Sequence, residues 1–414
     1  MKNDNLTAQI MIAMFAGAVF GIIIKFMPEY FAIDTRFINH ILDLGGNVFI
    51  SLMTLLVVPI VLVSIVCGIC SLEKVNTIGS MGFKLLKWFI ITTTIAVALA
   101  IIFAYVFQVG ANLYLTATPG FEAQPVPSFW QLIADIIPSN PFKAMADANM
   151  LQIIVFSVLL GVAINVAGES GRRVASFFAD LNAVLMKFVM MLMRVAPYGV
   201  FCLIAALFIN QGFELVLGIL NYFLAVTCVL FLHTTVIYSL LLYSHGLSPR
   251  IFFHKMYAAM LFAFGVSSST ASIPIVLDTI EHKLGVSSAV ASFVIPLGIN
   301  MNKNGSAIMQ GIAAIFISHA YHLNTSLMGN FILFITIVLA SVGTAGVPGV
   351  GMITLVMILK QMGLPVEGIA LIIGVDRLLD MLRTTVNVAG NSVIACLIAK
   401  SERQMDPRVF HAKE

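Results

Sequence analysis

GVSSSTASIP at Gly265–Pro274 and SVGTAGVPGVG at Ser341–Gly351 interrupt apolar runs that are each too short to cross a bilayer alone. Proline removes a backbone donor and glycine frees the backbone, so both stretches predict a helix–turn–helix hairpin that enters and leaves by one side. Lipid offers no partner for the exposed N–H and C=O groups, so such a turn must line a cavity inside protein. Each hairpin precedes a long apolar segment with polar residues at mid-depth. The segment 287–318 carries Asn302-Lys303-Asn304-Gly305-Ser306, and 366–400 carries VDRLLDMLRTTVNVAGN at Val375–Asn391. Hairpin plus helix, twice, predicts an inverted structural repeat, the pattern of secondary transporters whose site lies near the membrane midplane.

Composition sets the class. Of 414 residues, 60% are hydrophobic and 10% charged, so lipid must solvate most of the surface. An all-α polytopic membrane protein follows, with spanning helices expected near 7–28, 41–71, 82–110, 149–168, 172–209 and 214–244 ahead of the first hairpin. Several exceed the roughly 20 residues a span requires, so tilt is expected. Lys74, Lys84 and Lys87, then Arg172 and Arg173, then Arg250 and Lys255, then Lys400, Arg403 and Arg408 fall in alternate connections and the tail. The positive-inside rule puts them, and the N-terminus with Lys2, in the cytoplasm. The connection 111–148, with Glu122, Asp135 and Asp147 against Lys143, suits the outer side. The first apolar run shows no cleavage pattern and is long enough to remain as a span. The expectation is a multi-pass protein of the cytoplasmic (inner) membrane with both termini inside.

On a helix, Asp376, Asp380, Arg383, Thr384, Asn387 and Asn391 fall within about 120° of one face, with Arg377 at its edge. This stripe must face protein or water. Ionisable groups at membrane depth mark a substrate or ion path, with a structural ion pair as the alternative. Cys67, Cys70, Cys202, Cys228 and Cys396 all lie in apolar segments, which argues against disulfides and metal sites. Cys67 and Cys70 have a CxxC spacing but no polar neighbours, and read as helix-packing side chains. His319 and His322 sit near a helix end, and His233 stands alone in mid-span, read as a packing histidine. No nucleophile elbow, phosphate loop or zinc motif appears.

The tips SSTASIP and GTAGVPG and the terminal pattern LDMLRTTVNVAGN, with MTLLVVPIVLVSIVCG and RVAPYGVF, resemble the dicarboxylate/amino acid:cation symporters of the glutamate-transporter fold. The resemblance covers nearly the whole chain. It implies eight spanning helices, two re-entrant hairpins and a homotrimer, with no cofactor. It also implies a scaffold (1–81 and 111–212) and an elevator-type transport domain (82–110 and 213–414) in each protomer. It places Ser268 and Ser269 of the first tip, Val347 and Gly351 of the second, and Ser306 around the substrate. Asp380 would hold its amino group, Arg383 its side-chain carboxylate, and Thr384 and Asn387 the remaining polar contacts. A planar guanidinium fork suits a carboxylate, and a carboxylate suits an ammonium. Relatives for neutral amino acids lack the arginine and those for plain dicarboxylates tend to lack the aspartate, so having both favours glutamate or aspartate.

Three departures concern the coupling ion. The family's Asn-Met-Asp-Gly-Thr is Asn302-Lys303-Asn304-Gly305-Ser306 here, and an aspartate that helps ligate a second sodium is Asn391. Thr92 and Thr93 keep the hydroxyls of a third site, to which Asn302 also belongs, but Phe89 replaces its tyrosine. The family's arginine in the first hairpin is Ser267, a charge that Arg377 can supply instead, as in proton-coupled bacterial relatives. Hard cations in a desolvated site need anionic or dense carbonyl oxygen, so losing both carboxylates should weaken sodium strongly. With all groups ionised, Lys303, Arg377 and Arg383 against Asp376 and Asp380 leave +1, which an acidic amino acid neutralises. A neutral loaded domain avoids a large desolvation penalty in lipid, so Lys303 reads as a tethered substitute for sodium. The plainer reading is a lysine snorkelling to water. The leading expectation is thus a sodium-independent carrier of acidic amino acids. It is either proton-coupled, since a buried lysine shifts its pKa readily, or uncoupled. The alternatives are a sodium-coupled symporter of acidic amino acids or dicarboxylates, an ion channel, and a membrane enzyme with Ser268 or Ser269 as nucleophile.

Overall fold

The computed structural model describes residues 6–26, 35–71, 80–113, 115, 137–147, 149–211, 214–323, 325–341 and 350–412. Val347, Lys2, Lys74, Glu122 and Asp135 lie outside them. Among the described residues the chain is helical, apart from a single antiparallel bridge between Val286 and Met405. The first half comprises α1 (Leu6–Phe26), α2 (Thr35–Leu55), α3 (Val57–Ser71), α4 (Ser80–Val106), the short α5 (Pro141–Ala146), α6 (Met150–Val166), α7 (Gly168–Met193) and α8 (Ala196–Gln211). Then come α9 (Glu214–Leu232), a π-helical turn (His233–Ile237) and α10 (Tyr238–Ser244), which run on as one rod. The second half continues with α11 (Pro249–Val266), α12 (Ile273–Asp278) with a π turn (Thr279–Lys283), α13 (Ser288–Met301) and α14 (Asn304–Ala320). It closes with α15 (Leu327–Ser341), α16 (Val350–Gln361), α17 (Ile369–Ser401) and α18 (Pro407–His411).

Among the described residues, four stretches, Met81–Val106, Gly168–Leu192, Leu217–Ser244 and Val366–Ser401, are long and apolar enough to cross a membrane singly. Three expected spans prove discontinuous. The run 172–209 divides into α7 and α8 at Arg194–Val195, and Pro197, which has no N–H to continue the ladder, falls in the first turn of α8 where that donor is not needed. The run 41–71 breaks at Leu56, three residues before Pro59. The run 287–318 breaks at Asn302–Lys303, where φ/ψ of −119°/99° and −121°/53° take the chain out of the helix.

Packing sorts the helices into two groups. In the first, α1 and α2 lie on α8, and α3 on α6 and α7. The α1–α8 approach requires glycine: a β-carbon on Gly17 would stand 2.8 Å from the Phe201 carbonyl oxygen, and one on Gly21 2.6 Å from that of Ala205. In the second group α17 is the hub, packed by α4, α9, α11, α13 and α14 and met also by α8 of the first group, and α4 lies along α14. α11 turns back onto the π turn after α12, and the Lys255 ammonium ties these arms by donating to the Lys283 carbonyl at 2.9 Å. Its second bond, to the Val409 carbonyl at 2.8 Å, secures α18 beneath them. This helical hairpin turns at residues 267–272, as GVSSSTASIP implied. The helices flanking the second interruption, α15 and α16, pack together; residues 342–349 between them, where the second tip was expected, lie outside the described residues.

Candidate functional site

The polar stripe of α17 faces inward. Asp376, Arg383, Thr384, Asn387 and Asn391 are buried, and Asp380 and Arg377 nearly so. The Arg383 guanidinium, 1% exposed, brings its Nη2 to 2.9 Å from Oδ1 of Asp380 and 3.0 Å from Oδ1 of Asp376. Only the first approach is aligned as a hydrogen bond, and Oδ1 of Asp376 has none. Arg377 adds an ion pair, Nη1 to Oδ2 of Asp380, at 3.6 Å. The decisive feature is what remains: Nε and Nη1 of Arg383 are buried with no acceptor. A buried charged donor left unmade costs about 1–3 kcal/mol or more, so this guanidinium is built to receive another acceptor.

The broken span brings the other polar residues to the stripe. Because the helix stops at Asn302 and restarts at Asn304, the chain here can pass close to α17. A β-carbon on Gly305 would lie 2.6 Å from the Arg383 carbonyl oxygen, and the Gly305 N–H donates to Oδ1 of Asn387 at 2.8 Å. Only glycine permits this approach. Ser306 is buried in the first turn of α14. Lys303, at the break, is 2% exposed, so it does not snorkel to water. Asp380 is the carboxylate whose field reaches it.

The positions that the resemblance assigns to cation binding are joined to one another. Asn302 Nδ2 donates to Oδ1 of Asn391 at 3.0 Å, and the Thr93 hydroxyl donates to Oδ1 of Asn304 at 2.9 Å. Asn304 Nδ2 in turn donates to the Tyr238 hydroxyl at 3.1 Å. Thr92 lies 3.4 Å from Oδ1 of Asn302, but its hydroxyl finds a better acceptor in the Trp88 carbonyl at 2.9 Å. The Phe89 side chain, buried beside them, carries no oxygen, though its carbonyl lies 3.3 Å from the Thr92 hydroxyl.

At the first tip, Ser267 caps α11 in the left-handed region (φ 52°), and its hydroxyl is buried without a partner. Ser268 Oγ accepts from Ala271 N–H at 3.2 Å, and Ser269 is buried. The hairpin touches the stripe's helix through Thr385, whose hydroxyl reaches the Met260 carbonyl at 3.4 Å. Beyond the second turn, a β-carbon on Gly351 would lie 3.1 Å from Nη1 of Arg383. Sequence reasoning missed the braces around these residues. Gln310 Nε2 donates to the Thr354 hydroxyl at 2.5 Å, which donates to the Gly351 carbonyl at 2.9 Å, and Tyr238 anchors Asn304. Gln310 and Tyr238 each stand singly in apolar runs, where composition gives no signal. No described cysteine is in a disulfide, and Cys70 Sγ is directed to the Gly161 carbonyl at 3.9 Å. His319 Nδ1 is 2.9 Å from the Val109 carbonyl, while His233 is buried with both ring nitrogens unpartnered.

Residues 6–401 match the model of the sodium:dicarboxylate symporter family. The chain is 33% identical over 428 residues to the proton/glutamate-aspartate symporter of Escherichia coli (strain K12), covering 100% of this chain and 97% of that protein. It is 32% identical over 413 residues to the proton/sodium-glutamate symport protein of Bacillus caldotenax, covering 98% and 96%. To the C4-dicarboxylate transport protein of Bacillus subtilis (strain 168) the figures are 29% over 410 residues, 97% and 94%. The chain therefore belongs to the sodium:dicarboxylate symporter family. It is a multi-pass membrane transporter and not an enzyme.

Proposed function

We propose that this protein carries acidic amino acids, glutamate or aspartate, across the cytoplasmic membrane without sodium. The observation that carries the reading is the Arg383 guanidinium, buried between two carboxylates with Nε and Nη1 unpartnered. An acceptor-only group fits there, and a carboxylate matches it in shape and charge. Asp380 takes the ammonium, and Thr384 and Asn387 bind the remaining polar atoms. Ser268, Ser269 and Ser306, with Val347 and Gly351, close the site. Two relatives carry glutamate in their names, one with aspartate beside it, which supports the substrate class.

Lys303 takes the part of a bound cation. Its burial beside the Asp380 field supports this, and so does the mutual hydrogen bonding of Asn302, Asn304, Asn391 and Thr93, which leaves neutral amide oxygens where a hard cation needs charge. The loaded site is then neutral and crosses by an elevator movement. The transport domain is 82–110 with 213–414, including both re-entrant hairpins. It moves against a scaffold of 1–81 and 111–212, within a homotrimer whose termini face the cytoplasm. In support of that division, α1 and α2 pack chiefly on α8, and α3 chiefly on α6 and α7, with α8 also meeting α17 where the two parts adjoin. Protons are the coupling ion if one is used, in keeping with the relatives' names. The second reading, a sodium-coupled or C4-dicarboxylate carrier, is favoured by other names among the relatives.

Uptake of labelled aspartate into proteoliposomes, competed by glutamate, succinate and serine, tests the substrate class. Inhibition by glutamate with little effect of succinate or serine is expected. Stronger competition by succinate would move the assignment to dicarboxylates.

A further inference from the structure

Tyr238 opens α10 directly after the π turn at His233–Ile237. A π turn adds a residue to the helical count and so rotates the side chains that follow it. At this point in the rod, Tyr238 is the side chain that reaches across. Its hydroxyl accepts from Asn304 Nδ2 at 3.1 Å and donates to the Val386 carbonyl at 3.2 Å. The neighbours of these two partners, Gly305 and Asn387, are joined to each other by the 2.8 Å N–H bond. The hydroxyl thus closes a ring of bonds between the restart of α14 and the turn of α17 that runs from Arg383 to Asn387. The Tyr238 ring is fully buried and lies edge-on to His233 at 4.8 Å between centroids.

We infer that Tyr238 is a positioning residue for the substrate site: its hydroxyl holds the Asn304–Gly305 crossover against the Val386–Asn387 turn, so that this junction is braced by a neutral side chain and needs no ion. The inference rests on the acidic amino acid reading above. Loss of the hydroxyl leaves the buried Asn304 amide without its acceptor and releases the Val386 carbonyl from its cross-helix bond, two residues from Ser306 and one from Asn387, respectively. Substrate affinity should suffer while the movement of the loaded domain, which keeps its charge, should not.

The test is the kinetics of aspartate uptake by purified protein in proteoliposomes, with glutamate and succinate run in parallel. Tyr238→Phe keeps the ring and its contact with His233. It should raise KM about 5- to 100-fold with kcat little changed, the range expected when a buried donor, here the Asn304 amide, is left unpaired. In an Asn304→Ala background the same change should raise KM far less, because one partner is already gone. Should Tyr238→Phe fail to fold, Gly390→Ala reads the same contact from the other side, since its β-carbon would stand 2.3 Å from the Tyr238 hydroxyl oxygen. It too should raise KM. An unchanged KM in the variant that folds, or a fall in kcat at constant KM, overturns the inference while leaving the substrate reading intact. If wild-type protein takes up none of the three substrates, the substrate reading falls and the inference falls with it.

Discussion

Arg383→Cys is expected to turn an acidic amino acid site into a neutral one, and the charges within the site set the size of the effect. The wild-type guanidinium is 1% exposed and lies 2.9 Å and 3.0 Å from two carboxylates. Removing it leaves Lys303 and Arg377 against Asp376 and Asp380, so the empty site becomes neutral. An acidic substrate then loads it to −1, whereas a zwitterionic one leaves it at zero. Truncating one partner of a buried, hydrogen-bonded charge pair costs about 2–5 kcal/mol. For aspartate this corresponds to an affinity loss of roughly 30-fold to several thousand-fold. Isothermal titration calorimetry of the solubilised protein with aspartate, then with serine and alanine, reads both halves of the expectation: aspartate binding lost and a neutral amino acid admitted. Arg383→Lys is the control for folding, since it keeps the charge and loses the planar fork; it should weaken aspartate less than cysteine does. Unchanged aspartate affinity in Arg383→Cys would refute the assignment of the substrate carboxylate to this residue.

Lys303→Met should leave the loaded domain at −1. With about 2.5–3.5 kcal/mol for a charge at the bilayer centre, exchange of aspartate across the membrane should slow on the order of 100-fold; a normal rate in counterflow would remove the tethered-cation role. Gly305→Ala drives a β-carbon to within 2.6 Å of the Arg383 carbonyl oxygen, so α14 or α17 must shift. Its melting temperature should fall by an amount matching about 1–3 kcal/mol, with aspartate affinity falling too. Lys255→Met removes the ammonium that donates to the carbonyls of Lys283 and Val409 and ties the hairpin arms to α18. It should lower thermal stability by about 1–3 kcal/mol and leave the KM for aspartate unchanged. The triple variant Lys303→Met, Asn304→Asp, Asn391→Asp restores anionic oxygen to the cation positions, and its aspartate uptake should acquire a dependence on sodium.

Much of this architecture was legible because helix periodicity survives in the polar stripe. The face containing Asp376, Asp380, Arg383, Thr384 and Asn387 could be drawn from spacing alone, and α17 buries that face. Glycine and proline marked the turn at 267–272 for an equally local reason. The break at Asn302–Lys303 was hidden because Asn-Lys-Asn-Gly is polar whether the helix continues or stops. The tertiary approach of Gly305 to Arg383, only 2.6 Å from a hypothetical β-carbon, is what the break provides. Likewise the division of 172–209 needed more than Pro197, since a proline after apolar residues can kink a span as readily as end one. Tyr238 was invisible for a third reason: a one-residue π insertion changes which side chain faces the core without changing composition. The partners of Gln310 and Lys255 are backbone carbonyls or hydroxyls of distant segments, which no local pattern records.

The central claim is that a lysine and a set of amides stand where relatives would hold a cation. The most direct test is uptake of labelled aspartate by purified protein in proteoliposomes, with sodium, potassium or choline as the only external cation at fixed ionic strength. Equal uptake in all three salts is the predicted result. A strict requirement for sodium would contradict it and would mean that Asn304, Asn391 and nearby carbonyls still build a cation site.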